Sequence, residues 1–316
     1  MSAVIPQIVK LLDEHYVFPE VAAAVGAVLT EAAAEGRYDG ADDARLAELV
    51  TADLQSVNND LHLRLVHSAT ELSDTHDDDE TQMRQMGEWS DLTCGGVANA
   101  QRLPGNVGLL SIAPLMFPPA VAGDQVAAAM RLLATADALI LDLRECLGGD
   151  PNMVTWLYSH LTDAEPVQLS GMAFRDPERF TQLWTSHVPG PKFGGVKPVW
   201  VLTSAKTFSG GEALSFDLQE RGRAAVVGER TRGGAHPRDG FKVAAHLELT
   251  VPVARSVSPI SGGNWEGTGV VPDVPTAAAD ALAEAHRRAL ETVAALGGEG
   301  FRAQVAAEAA QALATQ

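Results

Sequence analysis

The run Ala138-Leu139-Ile140-Leu141-Asp142-Leu143-Arg144-Glu145-Cys146-Leu147-Gly148-Gly149-Asp150-Pro151 decides the fold class. Its first six residues hold a single charge, the pattern of a strand covered on both faces. The double glycine ends that strand, and Pro151 suits a first helical turn because its fixed φ is already helical. Outward from this run the alternation repeats. Strands are predicted at 107–112, 138–143, 199–202 and 224–228, with helices at 124–133, 152–161 and 210–220 and a further strand within 244–253. Strands alternating with helices at this spacing predict a parallel sheet with covering helices, an α/β core.

The flanks read differently. Residues 1–57 carry helical periodicity. Ile5, Ile8, Val9, Leu11 and Leu12 share one face, Pro19 opens a second helix, and Asp42 or Asp43 caps a third that runs through Leu46, Leu49, Val50 and Leu54. In 61–66 the leucines 61, 63 and 65 alternate with His62 and Arg64, which predicts a half-buried strand with His62 on its polar face. The acidic stretch Thr75 to Glu80 reads as a solvated loop. Residues 276–315 are alanine-rich and helical, with a break at Gly297-Gly298. The expected organisation is a helical bundle with the His62 strand at 1–66, a β/α core at 67–275 and C-terminal helices at 276–316.

Composition narrows the function. The 316 residues carry 41 acidic and 23 basic side chains, a formal charge of -18. Such a field repels phosphates, so neither nucleic acid nor an anionic membrane surface is an expected partner. Two cysteines, Cys94 and Cys146, are too few for a disulfide framework and match a reducing compartment. The first twenty residues lack a basic segment followed by an apolar one, and no window approaches 18 uninterrupted apolar residues. The expected location is cytoplasmic.

Three islands hold candidate chemistry, each with glycines beside a strand end or helix start, where ligand sites of α/β sheets lie. In the opening run, Gly148 and Gly149 can present bare backbone N–H groups to an oxyanion, although a tight turn alone would also use them. The second is Thr203-Ser204-Ala205-Lys206-Thr207-Phe208-Ser209-Gly210-Gly211-Glu212. Ser209 and Glu212 have capping-box spacing. Gly210 and Gly211, however, weaken a first helical turn by roughly 1 kcal/mol each relative to alanine. Their presence makes sense if a reactant must reach the backbone beside Ser209. A nucleophile there would find the Gly210 N–H and the helix dipole facing its developing charge. The third island, Asn264 to Asp273, places Glu266 in a glycine-shaped loop where it could orient a base. Three residues compete for that base: His62 beside Asp60, His236 in the turn Gly233 to Pro237, and Lys206. No histidine has the spacing of a helical metal motif, so neither metal nor cofactor is expected.

Taken in order, these islands resemble peptidase family S41, the tail-specific proteases. The similarity is greatest to the branch that holds interphotoreceptor retinoid-binding protein modules and the tricorn protease core. The matching runs are Asn59 to Leu63, Asp142-Leu143-Arg144 with Gly148-Gly149, Thr207 to Glu212, Val227 to Thr231 with Gly233 to Ala235, and Gly267 to Asp273. The resemblance implies a ClpP/crotonase-like β/α core preceded by a small helical bundle, with Ser209 as nucleophile. It implies an oxyanion hole from Gly210 with Gly148 or Gly149. The processing proteases use a lysine about two dozen residues past the serine, but no lysine lies between Ser209 and Lys242. The branch pattern instead implies a Ser209–His62–Glu266 triad, with His236 the alternative base. Residues 67–105 are too short for a PDZ domain. The expected activity is therefore serine hydrolysis of a peptide or small-molecule acyl bond (amide, ester or lactone). The competing expectation is a non-catalytic module for an apolar ligand, as in the retinoid-binding relatives. Assembly of this core in relatives also admits a homo-oligomer.

Overall fold

A computed structural model describes residues 4–72, 79–163 and 166–315. The acidic stretch expected as a loop lies largely outside them; its last two residues begin a helix. In chain order the elements are α1 (Val4–His15), α2 (Pro19–Ala34), α3 (Asp43–Gln55), β1 (Arg64–His67), α4 (Asp79–Leu92), β2 (Val97–Leu103), β3 (Val107–Ile112), α5 (Pro119–Leu133), β4 (Ala138–Asp142), α6 (Pro151–Ser159), β5 (Gln168–Phe174), β6 (Phe180–Trp184), β7 (Val199–Thr203), α7 (Gly210–Glu220), β8 (Ala225–Gly228), β9 (Arg238–Ala244), β10 (Leu247–Pro252), β11 (Ala254–Val257), β12 (Val274–Pro275), α8 (Ala281–Leu296) and α9 (Phe301–Ala314).

The chain forms two compact units from interleaved segments. The first comprises 1–82, 171–182 and 234–267; the second comprises 83–170, 183–233 and 268–316. In the first unit, α1, α2 and α3 pack with the antiparallel sheet β1-β10-β9. Ile8, Leu12, Leu29, Val50 and Leu54 from the helices share one core with Leu65, Leu247 and Leu249 from the strands. Pro19 opens α2, and the Asp42 carboxylate accepts from the Arg45 N–H at 2.8 Å to cap α3, a bond of about 1 kcal/mol. A second small sheet has the order β11-β5-β6.

The second unit carries a six-stranded sheet of order β12-β8-β7-β4-β3-β2. All its pairs are parallel except the β2–β3 pair. Strands β4 and β7 are buried along nearly their whole length, which is why their sequences are continuous apolar runs. Helices α8 and α9 cover one face: Ala285, Ala289, Leu290 and Ala309 pack against Leu109, Ile140 and Leu202. Small alanines let these helices approach the sheet closely. This is the β/α core with a helical N-terminal region that the sequence predicts.

One local expectation fails. Residues 61–63 are not strand, and β1 begins only at Arg64. The Asp60 carboxylate accepts from the His62 backbone N–H at 3.1 Å, and Asn59 adopts a positive φ of 53°. This side-chain-closed turn draws the backbone out of the ladder. His62 is accordingly buried at 4% exposure rather than lying on a polar strand face.

Candidate functional site

The candidate residues fall into two constellations, one in each unit. In the second unit, β7 ends at Thr203 and the chain turns through Ser209 into α7. Ser209 has φ 50° and ψ -116°, far from the extended backbone of an ordinary helix cap. For a residue with a Cβ this conformation costs of order 1–3 kcal/mol, and such strain persists only where surrounding bonds enforce it. The enforcing group is Glu212. It is fully buried, and its carboxylate accepts from the Ser209 N–H at 2.9 Å, the Gly233 N–H at 2.6 Å and the Thr231 hydroxyl at 2.5 Å. The capping-box spacing therefore marks a clamp on a strained turn. A sharp strand-to-helix turn with serine at its apex is the geometry of a nucleophile elbow.

The opening glycine run packs directly on this elbow. Gly148 and Gly149 take φ values of 125° and 134°, a region nearly closed to residues with a side chain. A Cβ on Gly148 would stand 2.9 Å from the Ser209 Cβ, and one on Gly149 would strike the Met116 carbonyl. A Cβ on Gly210 would fall 3.0 Å from the Gly149 nitrogen. The segment is held by the Met116 N–H donating to the Gly148 carbonyl at 2.9 Å and the Asp150 N–H donating to the Met116 carbonyl at 2.8 Å. Neither bond uses the Gly149 N–H. Among the described residues, no hydrogen bond occupies the N–H of Gly149 or of Gly210. Cys146, behind this loop, is fully buried, and burial pushes its thiol up to about 12, so it stays protonated. Lys206, the third base candidate, is taken up at the surface by Glu145 at 2.9 Å.

In the first unit, Asp60, His62, His236 and Glu266 form a second cluster. The His236 Nδ1 lies 2.7 Å from the Asp60 Oδ2 and 3.6 Å from the Glu266 Oε2. Donor atoms of Asp60, His62 and Glu266 all lie within 4.8 Å of one another. Asp60 is wholly buried, and its carboxylate gathers donors: the His62 N–H, the Tyr16 hydroxyl at 3.0 Å and His236. Burial first, then Asp60, raises the Tyr16 phenol, so it remains a donor, and Asn58 in turn donates to it at 2.7 Å. Glu266 is fixed by the Ala235 N–H at 2.5 Å. Phe18 packs edge-on to the His236 ring at 5.3 Å. Burial pushes His62 down to about 3, with Arg238, Arg64 and His236 adding and Asp60 opposing, so its imidazole is neutral near pH 7.

The structure thus gathers Ser209 with its three glycines in one unit, and both candidate histidines with Glu266 in the other. Sequence reading missed Tyr16 and Asn58, whose roles exist only through burial around Asp60. It noted Asp60 without giving it a role; the Ser209–Glu212 capping box it read is present, and what it lacked was the bonds of Glu212 to Thr231 and Gly233.

A family model described as peptidase family S41 matches residues 106–276, and one described as the N-terminal domain of Peptidase_S41 in eukaryotic IRBP matches residues 1–91. By fold the chain is similar to a putative peptidase from Parabacteroides merdae, at 17% identity and a TM-score of 0.60, covering 87% of this chain and 89% of that one. It is similar to a lipoprotein from Streptococcus agalactiae, at 15% identity and 0.59, covering 91% and 95%. It also resembles the tricorn protease, at 14% identity and 0.55, covering 90% of this chain and 35% of that one. No described helix is long and apolar enough to cross a membrane.

Proposed function

The chain belongs to peptidase family S41 and is a serine peptidase, and we propose that its chemistry runs through an acyl-enzyme on Ser209 with His62 as base and Glu266 as orienter. The observation that carries this reading is the strained Ser209 elbow beside two unoccupied N–H groups. A structural cap needs neither the strain nor the idle donors. In the proposed sequence the Ser209 hydroxyl attacks the scissile carbonyl while His62 takes its proton. The Gly210 and Gly149 N–H groups receive the oxyanion, with Gly148 supplying the turn that exposes them; donors of this kind are worth about 3–4 kcal/mol each in other acyl-transfer sites. Proton return from His62 releases the leaving group, and water then repeats the cycle on the acyl-enzyme.

His62 is favoured because Glu266 shares its cluster; the burial that holds its ring neutral also weakens it as a proton acceptor. A specific observation supports His236 as the second reading: its Nδ1 already holds a carboxylate at 2.7 Å, the orientation a general base requires. The proposed substrates are short peptides or small acyl compounds that are neutral or cationic, since the chain's charge of -18 disfavours anions.

Residues that act as one catalytic unit are non-additive when removed together. The test is a cycle of Ser209→Ala, His62→Ala and the double variant on a chromogenic peptide or ester substrate. Similar losses in all three support the unit. A His62→Ala variant that retains most activity while His236→Ala loses it moves the base to His236. Full activity in Ser209→Ala overturns the proposal.

A further inference from the structure

We infer that the Asp60–His62–Glu266 cluster of the first unit is a zinc site, and that a bound zinc ion inhibits the peptidase by occupying its base. The inhibitory half rests on the proposed role of His62; the binding half stands on geometry alone.

The donor set is one imidazole and two carboxylates, each able to offer an atom within 4.8 Å of the other two. A tetrahedral zinc ion with bonds of about 2.0–2.2 Å needs its ligand atoms roughly 3.4 Å apart. The cluster must therefore contract by no more than about 1.4 Å to close around a metal. The room for that movement lies with Glu266, whose side chain is 18% exposed, whereas Asp60 and His62 are fixed and buried. Mixed nitrogen and oxygen ligation selects zinc over magnesium or calcium, which prefer oxygen alone. Three protein ligands leave a fourth position open.

Outer partners of the kind metal ligands use are already in place. His236 and the Tyr16 hydroxyl both reach the Asp60 Oδ2, and Asn58 supports Tyr16. The Ala235 N–H holds the Glu266 Oε2. The bonds to Asp60 fix that carboxylate before any metal arrives, lowering the ordering cost of binding. Zinc bonded to the His62 ring takes the lone pair that would accept the Ser209 proton, so metal-bound and catalytically competent forms exclude one another.

The experiment titrates the purified full chain with zinc against a chromophoric chelator. In parallel it measures labelling by a fluorophosphonate probe with zinc present and again after EDTA. The expected result is one zinc per chain in the wild type and in Ser209→Ala, with affinity reduced at least tenfold in both His62→Ala and Glu266→Gln. Wild-type labelling should slow at least tenfold in saturating zinc and recover with EDTA. Absence of stoichiometric binding, or binding unchanged in both ligand variants, overturns the site. Binding that depends on both ligands but leaves labelling unchanged overturns the inhibition alone. Failure of the probe to label the metal-free wild type contradicts the Ser209 reading instead, and the zinc titration still decides the site.

Discussion

The Ser209 elbow and the Asp60 cluster are built by opposite means. The elbow is backbone: a positive φ at Ser209, two glycines at 148 and 149 that no side chain could replace, and idle N–H groups. Its parts sit in short contiguous runs. The cluster is side chain: Asp60 and His236 stand 176 residues apart, and their bond exists only because burial makes an unpaired carboxylate costly. A site made of backbone strain leaves glycines and capping residues in the sequence. A site made of buried charge leaves only isolated polar residues.

The largest effect that would sharpen this contrast is on activity. Ser209→Ala should reduce peptide or ester turnover by at least about 10³-fold while leaving the thermal midpoint near the wild-type value, because the strain belongs to the backbone. Unaltered turnover would place the chemistry elsewhere. Backbone dependence predicts the next effect. Gly149→Ala meets the Met116 carbonyl at a φ of 134° and should destabilise the chain by about 2–3 kcal/mol in denaturant unfolding. A stable Gly149→Ala variant with full activity would show that the loop can be rebuilt without its bare backbone.

A third histidine separates burial from partnership. His160, in the second unit, is fully buried, and among the described residues neither ring nitrogen has a hydrogen-bond partner. Burial pushes it down to about 4, with Lys192 and Arg131 adding. Because the folded pKa lies below the unfolded value of 6.5, the unfolded chain binds the proton more readily. Stability is therefore complete above about pH 6.5 and is lost as pH falls toward 4, by about 3 kcal/mol in all. His160→Leu should flatten that acid limb in a series of thermal midpoints against pH; an unchanged limb would assign it to other groups. The smallest effect is at the clamp. Glu212→Gln turns an amide N–H₂ toward donors and should cost about 2 kcal/mol in unfolding, with reduced turnover from a relaxed elbow. No change in either would remove Glu212 from its role.

These contrasts explain what the sequence made legible. Strand β4 and the turn after it could be read from 138–151 because continuous burial and a double glycine are local signals. Helix α7 begins at Gly210, as the glycines and the Glu212 spacing imply. The strand expected at 61–63 misled because alternating leucines mimic a ladder, whereas one Asp60 hydrogen bond closes a turn. Glu212 closes the capping box that its spacing implies, but its further bonds were not legible because Thr231 and Gly233 lie 19 and 21 residues away. The nearness of His62, His236 and Glu266 had no local signature at all.

The central proposal is that the strained Ser209 is the nucleophile and His62 its base. Fluorophosphonate labelling followed by peptide mapping tests it most directly. The account predicts a single adduct on Ser209 in the wild type, none in Ser209→Ala, and labelling slowed by at least about 10³-fold in His62→Ala. An adduct on another residue, or equal labelling of Ser209→Ala, would contradict it.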